Sequence, residues 1–212
     1  MARKIIGITG LIGSGKDTIA NALVTKFGFH QESFAKSLKD ACASIFVWDR
    51  TMLEGRTKEA REQREEKDEW WSERLGREVS PRSVLQEVGT EVFRSSFHPD
   101  IWIASMERRL MSGHDNIVVS DCRFPNEIAM IRRYGEVWSV KRGPDPEWWQ
   151  VAIDQARYIN QNPGVHHSLK LTDYPKVHYS EWGWSASEMD QVIENNGTLE
   201  DLIHKVEWLI RN

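Results

Sequence analysis

Residues 4–16 constrain the fold more than any other stretch of the chain. Lys4-Ile5-Ile6-Gly7-Ile8-Thr9 is a short, β-rich apolar run that opens directly into Gly10-Leu11-Ile12-Gly13-Ser14-Gly15-Lys16. Behind it Ile19, Ala22, Leu23 and Phe27 recur at helical spacing, and Gly28 stands where a helix would end in a left-handed turn. A buried strand that passes through Gly-x-x-Gly-Ser-Gly-Lys into a helix turns successive backbone N–H groups toward one point. The helix N-terminus adds its partial positive charge there, and the product is a cradle for phosphate oxygens. Gly10, Gly13, Ser14 and Gly15 form that cradle, and Lys16 would bridge the outer phosphates. Asp17 departs from the usual pattern, in which Ser or Thr ligates Mg²⁺. A carboxylate could hold the metal directly or through water, and Thr18 offers a hydroxyl one position later.

The rest of the chain alternates strand and helix signals. A second strand is expected within Phe29 to Phe34, and Leu38, Ala41, Cys42, Ile45 and Phe46 mark a helix face. Ser80-Pro81 reads as a cap with a first-turn proline, followed by Val84, Leu85, Val88 and Val92; His98-Pro99-Asp100 breaks that helix and starts one carrying Trp102, Ile103, Met106 and Leu110. Ile117-Val118-Val119-Ser120-Asp121 has the continuous apolar character of a strand covered on both faces. Pro125 opens a helix through Ile128 and Ile131, Glu136 to Lys141 supplies another strand, and Val192-Ile193-Glu194 a last one. After the turn Asn195-Asn196-Gly197, Thr198 starts a final helix with apolar Leu199, Leu202, Ile203, Val206 and Leu209. This alternation implies an α/β fold with a mainly parallel, five-stranded sheet flanked by helices. A single domain spanning 1–212 is expected, with its core in about 1–50 and 80–212. The intervening stretch 54–79 is nearly all charged, with only Trp70, Trp71, Leu75 and Val79 to bury, and reads as a projecting helical arm laced by mixed-sign pairs.

Composition narrows the function classes. With 28 Lys+Arg against 32 Asp+Glu the formal charge is −4, which disfavours a generic nucleic-acid binder. No segment approaches the roughly 18 apolar residues of a membrane span, and the N-terminus turns glycine-rich before a signal-peptide core could form, so a cytoplasmic protein is expected. Cys42 and Cys122 lack metal-ligand spacing and read as reduced, buried thiols. His166-His167 is a poor metal site because adjacent residues do not easily reach one ion. Trp148-Trp149 and Trp182-x-Trp184 suit either an interface or packing over an irregular segment.

A phosphate loop alone does not choose among GTPases, motor ATPases and small-molecule kinases. The absence of an Asn-Lys-x-Asp motif lowers the first, and the length suits the last. Phe34-Ala35-Lys36-Ser37-Leu38-Lys39-Asp40, Leu85-Gln86-Glu87-Val88-Gly89-Thr90, Val119-Ser120-Asp121-Cys122-Arg123, His178-Tyr179-Ser180-Glu181 and Asn196-Gly197-Thr198-Leu199-Glu200 follow the Gly-Lys-Asp-Thr loop in order. With them the chain resembles the bacteriophage deoxynucleoside monophosphate kinases, P-loop proteins of the nucleoside monophosphate kinase-like fold. The resemblance implies transfer of the ATP γ-phosphoryl group to a deoxynucleoside monophosphate, with Mg²⁺, by a homodimer. Other readings are a different small-molecule P-loop kinase, resembling dephospho-coenzyme A kinase, or a non-catalytic nucleotide-binding regulator.

Such a reaction needs positioning and charge neutralisation rather than a general base, because the acceptor oxygen is already anionic. Lys16 and Mg²⁺ would serve the donor; Lys39, Arg82 and Arg123 are candidates for the acceptor phosphate and the transferred group. Asp121 is expected as the second metal carboxylate beside Asp17, or else as a helix cap. Gln86, Gly89 and Thr90 would share a helix on which Gln86 and Thr90, at i and i+4, read a base or sugar edge or simply face solvent. Trp102 would stack on the acceptor base or pack in the core, and Arg142 would approach the donor phosphates or lie over adenine. The resemblance further implies adenine contacts from the backbone around Asn196, Gly197 and Thr198; His178 and Glu181 could close over the site as a lid.

Overall fold

A computed structural model describes residues 3–111, 113, 115–162, 171, 173, 174 and 176–212, so His166 and His167 lie outside the described residues. The chain divides into two compact units, one of residues 1–33 and 110–212, the other of 34–109.

The first unit holds the whole sheet. Its strands are β1 (Lys4–Gly10), β2 (His30–Glu32), β3 (Asn116–Val119), β4 (Glu136–Lys141) and β5 (Gln191–Glu194), ordered β2-β3-β1-β4-β5 with every neighbouring pair parallel. Parallel pairing demands a long crossover between partners, and the helices provide it. α1 (Lys16–Phe27) follows β1 and ends at Gly28, whose left-handed backbone (φ 70) sends its N–H to the Leu23 carbonyl. On one face of the sheet Ile6, Ile8, Val118, Trp138, Val140 and Ile193 pack with Ile19 and Leu23 of α1 and with Leu202 and Val206 of a C-terminal helix, Leu199–Arg211. Pro125–Arg132 forms another helix, and its Ile131 Cγ2 lies 3.0 Å from where a Cβ on Gly7 would sit. Trp148, Ala152, Ala156, Leu171 and Trp182 form a separate cluster beside the helix Trp149–Gln161. Trp182 is fully buried and Trp184 nearly so, which makes them packing residues, whereas Trp148 and Trp149 are half-buried.

The second unit is helical throughout: α2 (Lys36–Phe46), α3 (Arg50–Glu54), α4 (Lys58–Glu65), α5 (Glu69–Leu75), α6 (Pro81–Glu87), a π-helical stretch Val88–Phe97, and α7 (Ile101–Met111), which runs to the unit's boundary. Leu38, Cys42, Leu53, Val79, Val84 and Trp102 are its core. The charged stretch 54–79 is not one helix. It breaks between α4 and α5, and α5 is tied down locally: Asp68 N–H donates to the Val79 carbonyl at 2.8 Å, and Val79 N–H to Ser72 Oγ at 3.0 Å. Trp48 Nε1 donates to Asp68 Oδ2 at 2.7 Å, and Trp71 Nε1 to the Phe46 carbonyl at 3.0 Å. Trp71 and Val79 thus join the core, whereas Trp70 and Leu75 stay exposed. On α2 Leu38 and Cys42 are buried, but Ile45 is exposed, one position off the stripe expected of it. Ser80 caps α6 by accepting from Ser83 N–H at 3.2 Å while Ser83 Oγ accepts from Ser80 N–H at 3.0 Å. Both thiols are free and buried, as expected, and burial raises the pKa of each.

The remaining helices of the first unit are α8 (Pro125–Arg132), α9 (Trp149–Gln161), α10 (Tyr179–Trp182) and α11 (Leu199–Arg211).

Candidate functional site

In the first unit the carboxyl ends of the strands collect the predicted donor residues. Gly10 pairs with Val140 and Lys141 with Glu194, so the loop 10–15, the segment after β3, Arg142 and the turn 195–198 open from one sheet edge. That edge is where open α/β sheets bind ligands.

The loop's shape depends on two glycines. Gly10 has φ 145, and a Cβ there would come within 2.4 Å of the Val140 carbonyl oxygen; Gly15 has φ 104, and a Cβ there would come within 2.3 Å of Asn195 Nδ2. Side chains at either position would close the cradle. Asn195 is buried, and its Nδ2 donates to the Ser14 carbonyl at 2.8 Å while its own N–H donates to the Lys141 carbonyl at 2.8 Å. The loop is thereby tied to the ends of β4 and β5. Ser14 Oγ and Thr9 Oγ1 are buried without a hydrogen-bond partner among the described residues. An orphaned hydroxyl inside a glycine cradle suits an incoming phosphate.

Lys16 opens α1 and its Nζ donates to the Leu11 carbonyl at 3.1 Å. Burial pushes its ammonium below the ordinary lysine range; Asp17 pulls it back up, Arg123 repels it further down, and Glu181 again favours the charge. Asp17, Arg123 and Glu181 therefore all act on the Lys16 charge. Asp17 and Thr18 are exposed in the first turn of α1.

Arg123 is exposed, and the backbone that carries it is fixed from below. Glu127, 2% exposed, accepts from Arg123 N–H at 2.9 Å and Phe124 N–H at 3.2 Å through the same oxygen. Phe124 in turn stacks on Tyr179 with ring centroids 5.5 Å apart, which brings α10 to the segment after β3. His178 caps α10, its ring Nδ1 accepting from Ser180 N–H at 3.2 Å. Asp121 lies between β3 and Arg123, partly exposed.

At the last turn, Asn196 Oδ1 accepts from Gly143 N–H at 2.8 Å, holding the residue next to Arg142. Thr198 is engaged in capping α11: its hydroxyl accepts from Asp201 N–H at 3.2 Å, and its own N–H donates to Asp201 Oδ2 at 2.8 Å. A Cβ on Gly197 would meet Asp201 Oδ2 at 2.6 Å. Of the three residues expected to meet adenine, Thr198 has spent its N–H within the fold.

The second unit carries the predicted acceptor residues. Lys39 Nζ is paired with Glu54 Oε2 at 2.8 Å, and Arg50 holds the other Glu54 oxygen at 2.6 Å and Asp40 at 2.5 Å. Arg82 is exposed in the first turn of α6, with Nε 4.0 Å from Glu65 Oε1. Gln86 and Thr90 are both exposed. Val88 begins a π-helical stretch, so Thr90 stands on π-helical backbone while Gln86 belongs to α6. Gly89 is packed: a Cβ would reach Leu38 Cδ2 at 2.8 Å, and its carbonyl accepts from Trp102 Nε1 at 2.9 Å. Trp102, 7% exposed and edge-on to Phe93 at 5.2 Å, has the core placement that helical spacing allowed. Sequence reasoning passed over Asn195 and Glu127. Glu127 had a signal, since it stands at the third position of a helix opened by Pro125; Asn195 had none.

Among the described residues no group of three or more His, Cys, Asp or Glu could hold a metal ion, and no helix is long and apolar enough to cross a membrane.

A parallel sheet whose first strand enters a glycine cradle with a lysine at the helix start defines a P-loop nucleotide-binding protein. No protein-family model matches the chain. A protein of Acanthamoeba polyphaga mimivirus, assigned as a deoxynucleotide monophosphate kinase, is 32% identical over 145 residues, covering 62% of this chain and 69% of its own. The deoxynucleoside-5'-monophosphate kinase of Escherichia phage T5 is 40% identical over 55 residues, 26% of this chain and 22% of its own length. Among solved structures, a shikimate kinase from Bacteroides thetaiotaomicron superposes over 100% of both chains with a TM-score of 0.47 and 14% identity. The chain belongs to the deoxynucleotide monophosphate kinase family.

Proposed function

We propose that the protein transfers the γ-phosphoryl group of ATP to the 5′-phosphate of a deoxynucleoside monophosphate, releasing ADP and the deoxynucleoside diphosphate. An acceptor phosphate oxygen forms the new P–O bond as the β,γ-bridging bond breaks, and no side chain need accept a proton at neutral pH. The observation that carries the reading is the cradle built by Gly10 and Gly15 within a chain of this family.

The donor residues are those of the first unit. Gly10, Gly13, Ser14 and Gly15 hold the β- and γ-phosphates through backbone N–H groups, and Lys16 neutralises their outer oxygens. Arg123 serves the transferred group and Arg142 the donor nucleotide, while Asn196, Gly197 and Thr198 border the adenine. His178 and Glu181 cover the phosphates from α10; the effect of Glu181 on Lys16 supports that placing. Mg²⁺ commonly binds through one or two carboxylates, substrate phosphates and water. Asp17 and Asp121 are suited to that role, with the Thr18 hydroxyl beside them, and the ion would neutralise charge on the transferring group.

The acceptor residues are those of the second unit. Lys39 and Arg82 bind the acceptor phosphate, and Gln86, Gly89 and Thr90 border its sugar and base. Trp102 supports them by holding the Gly89 carbonyl rather than by stacking on the base. We further propose a cytoplasmic homodimer acting on small nucleotides rather than on nucleic acid, in keeping with the net charge of −4.

A coupled ADP-release assay with ATP and Mg²⁺, run over the deoxynucleoside and ribonucleoside monophosphates beside dephospho-coenzyme A, tests this. Stimulation by one or more deoxynucleoside monophosphates, absent in Lys16→Ala, is the expected result. Stimulation by dephospho-coenzyme A alone, or by no acceptor, would refute it.

A further inference from the structure

One arginine of the charged stretch does not behave as a surface charge. The α4 pair Lys58 and Glu62 is exposed, with 3.5 Å between Nζ and Oε1. Arg64, two residues past Glu62 and so on the opposite side of the helix, points the other way. Its guanidinium carbon lies 2.5 Å from where a Cβ on Gly55 would stand, so the planar group rests on bare backbone. Arg64 Nη1 donates to the Leu53 carbonyl at 3.3 Å, but Nε is fully buried and has no hydrogen-bond partner among the described residues.

The charges around it make this placement costlier still. Burial lowers the Arg64 pKa first, and Arg82 lowers it next; Glu65 and Glu54 offset this in part, and Arg61 adds further repulsion. Glu54 is already shared between Lys39 and Arg50, and Glu65 is 4.0 Å from Arg82. Two guanidinium groups therefore sit in each other's field, one of them with a buried donor unsatisfied. Burying such a donor costs free energy that a neutral role as packing does not require. Guanidinium forks match phosphate oxygens, and a dianion would satisfy the Nε donor and remove the repulsion at once.

We propose that Arg64 and Arg82 together form the seat of a phosphate dianion, the 5′-phosphate of the acceptor nucleotide. This rests on the phosphotransferase reading and adds Arg64 to it as a substrate-binding residue. The bond to Leu53 does not explain Arg64 by itself, because it uses one donor and a lysine could supply it.

The test compares wild type, Arg64→Lys and Arg64→Met in steady-state kinetics at saturating ATP, with dAMP, dCMP, dGMP and dTMP as acceptors and the melting temperature of each protein recorded. The acceptor KM is expected to rise about 10- to 100-fold in Arg64→Met, less in Arg64→Lys, with the ATP KM unchanged. An unchanged acceptor KM in a folded Arg64→Met protein would overturn the proposal. A second arm does not depend on turnover or on the stability of Arg64→Met. The Arg64 Nε–H resonance, identified by its loss in Arg64→Lys, is followed in Lys16→Ala protein titrated with inorganic phosphate. A saturable shift supports the seat, and an unmoved resonance overturns it. If wild type phosphorylates none of the four acceptors, the kinase reading fails, while this titration still decides whether the anion seat exists.

Discussion

Glu127 holds the main chain of Arg123. One buried carboxylate oxygen accepts from the Arg123 N–H at 2.9 Å and from the Phe124 N–H at 3.2 Å, so the segment leaving β3 is shaped by a residue four positions later. Replacement by alanine would leave two N–H groups without that acceptor. Glu127→Ala is expected to lose about 1–3 kcal/mol of stability and to lower kcat through displacement of Arg123. Glu127→Gln, which keeps one acceptor oxygen, should fall between. Urea denaturation beside the ADP-release assay reads both effects, and a Glu127→Ala protein of full stability and turnover would show that the segment holds its shape unaided.

Gly15 and Asn195 are matched in the same way. Alanine at 15 must adopt φ 104 and place its Cβ against Asn195 Nδ2. Backbone strain of this kind costs about 1–3 kcal/mol, and Gly15→Ala is expected to weaken binding of a non-hydrolysable ATP analogue by at least tenfold. Asn195→Ala removes both the obstacle and the clamp on Ser14. The double variant should therefore bind more tightly than the product of the two single losses predicts. Isothermal titration of the four proteins gives the coupling directly, and strict additivity would remove Asn195 from the loop's support.

Lys16 gives the protein a pH dependence whose sign follows from its lowered pKa. Between that folded value and the unfolded lysine value of about 10.4, the unfolded chain carries a proton that the native chain lacks. Stability contributed by this group therefore rises with pH across the window and falls as pH drops through the folded pKa. Arg123→Met removes a repulsion and should raise the Lys16 pKa; Glu181→Gln removes an attraction and should lower it. The side-chain ¹⁵Nζ resonance of Lys16, titrated without nucleotide, measures each shift. A pKa indifferent to both substitutions would place Arg123 and Glu181 outside its electrostatic reach.

Trp102 separates packing from recognition. Its indole N–H satisfies the Gly89 carbonyl at 2.9 Å, and its ring packs with Phe93. Trp102→Phe keeps most of the ring and removes the donor, so a loss of about 1–3 kcal/mol is expected, with the ATP KM unaffected. Equilibrium denaturation measures the first and initial-rate kinetics the second. Full stability together with a raised acceptor KM would return the ring to a stacking role.

The sequence by itself determined several elements whose cause is local. β1, its glycine loop and α1 were legible because an apolar run, a glycine spacing and a helical stripe lie within 25 residues of one another. β4 and the Thr198 start of α11 were legible because a short apolar run and a helix cap are each set within a few residues. The same local logic placed Gly28 at the end of α1 and Ser80 at the start of α6. What it left open depends on partners outside the local stretch. The π-helical run that carries Thr90 lies next to a glycine packed on Leu38. The charged stretch is built as two helices, the second tied to Trp48 and Val79.

Tertiary structure alone decided which polar groups meet. Asn195 and Ser14 are 181 residues apart, and only the parallel order of β1, β4 and β5 brings that amide to that carbonyl. Arg64 resembles its charged neighbours in sequence, yet folding lays it over Gly55 beside Arg82. The physical reason is that periodicity and capping depend on chain positions a few residues apart, whereas the partner of a buried donor depends on where crossovers return the chain.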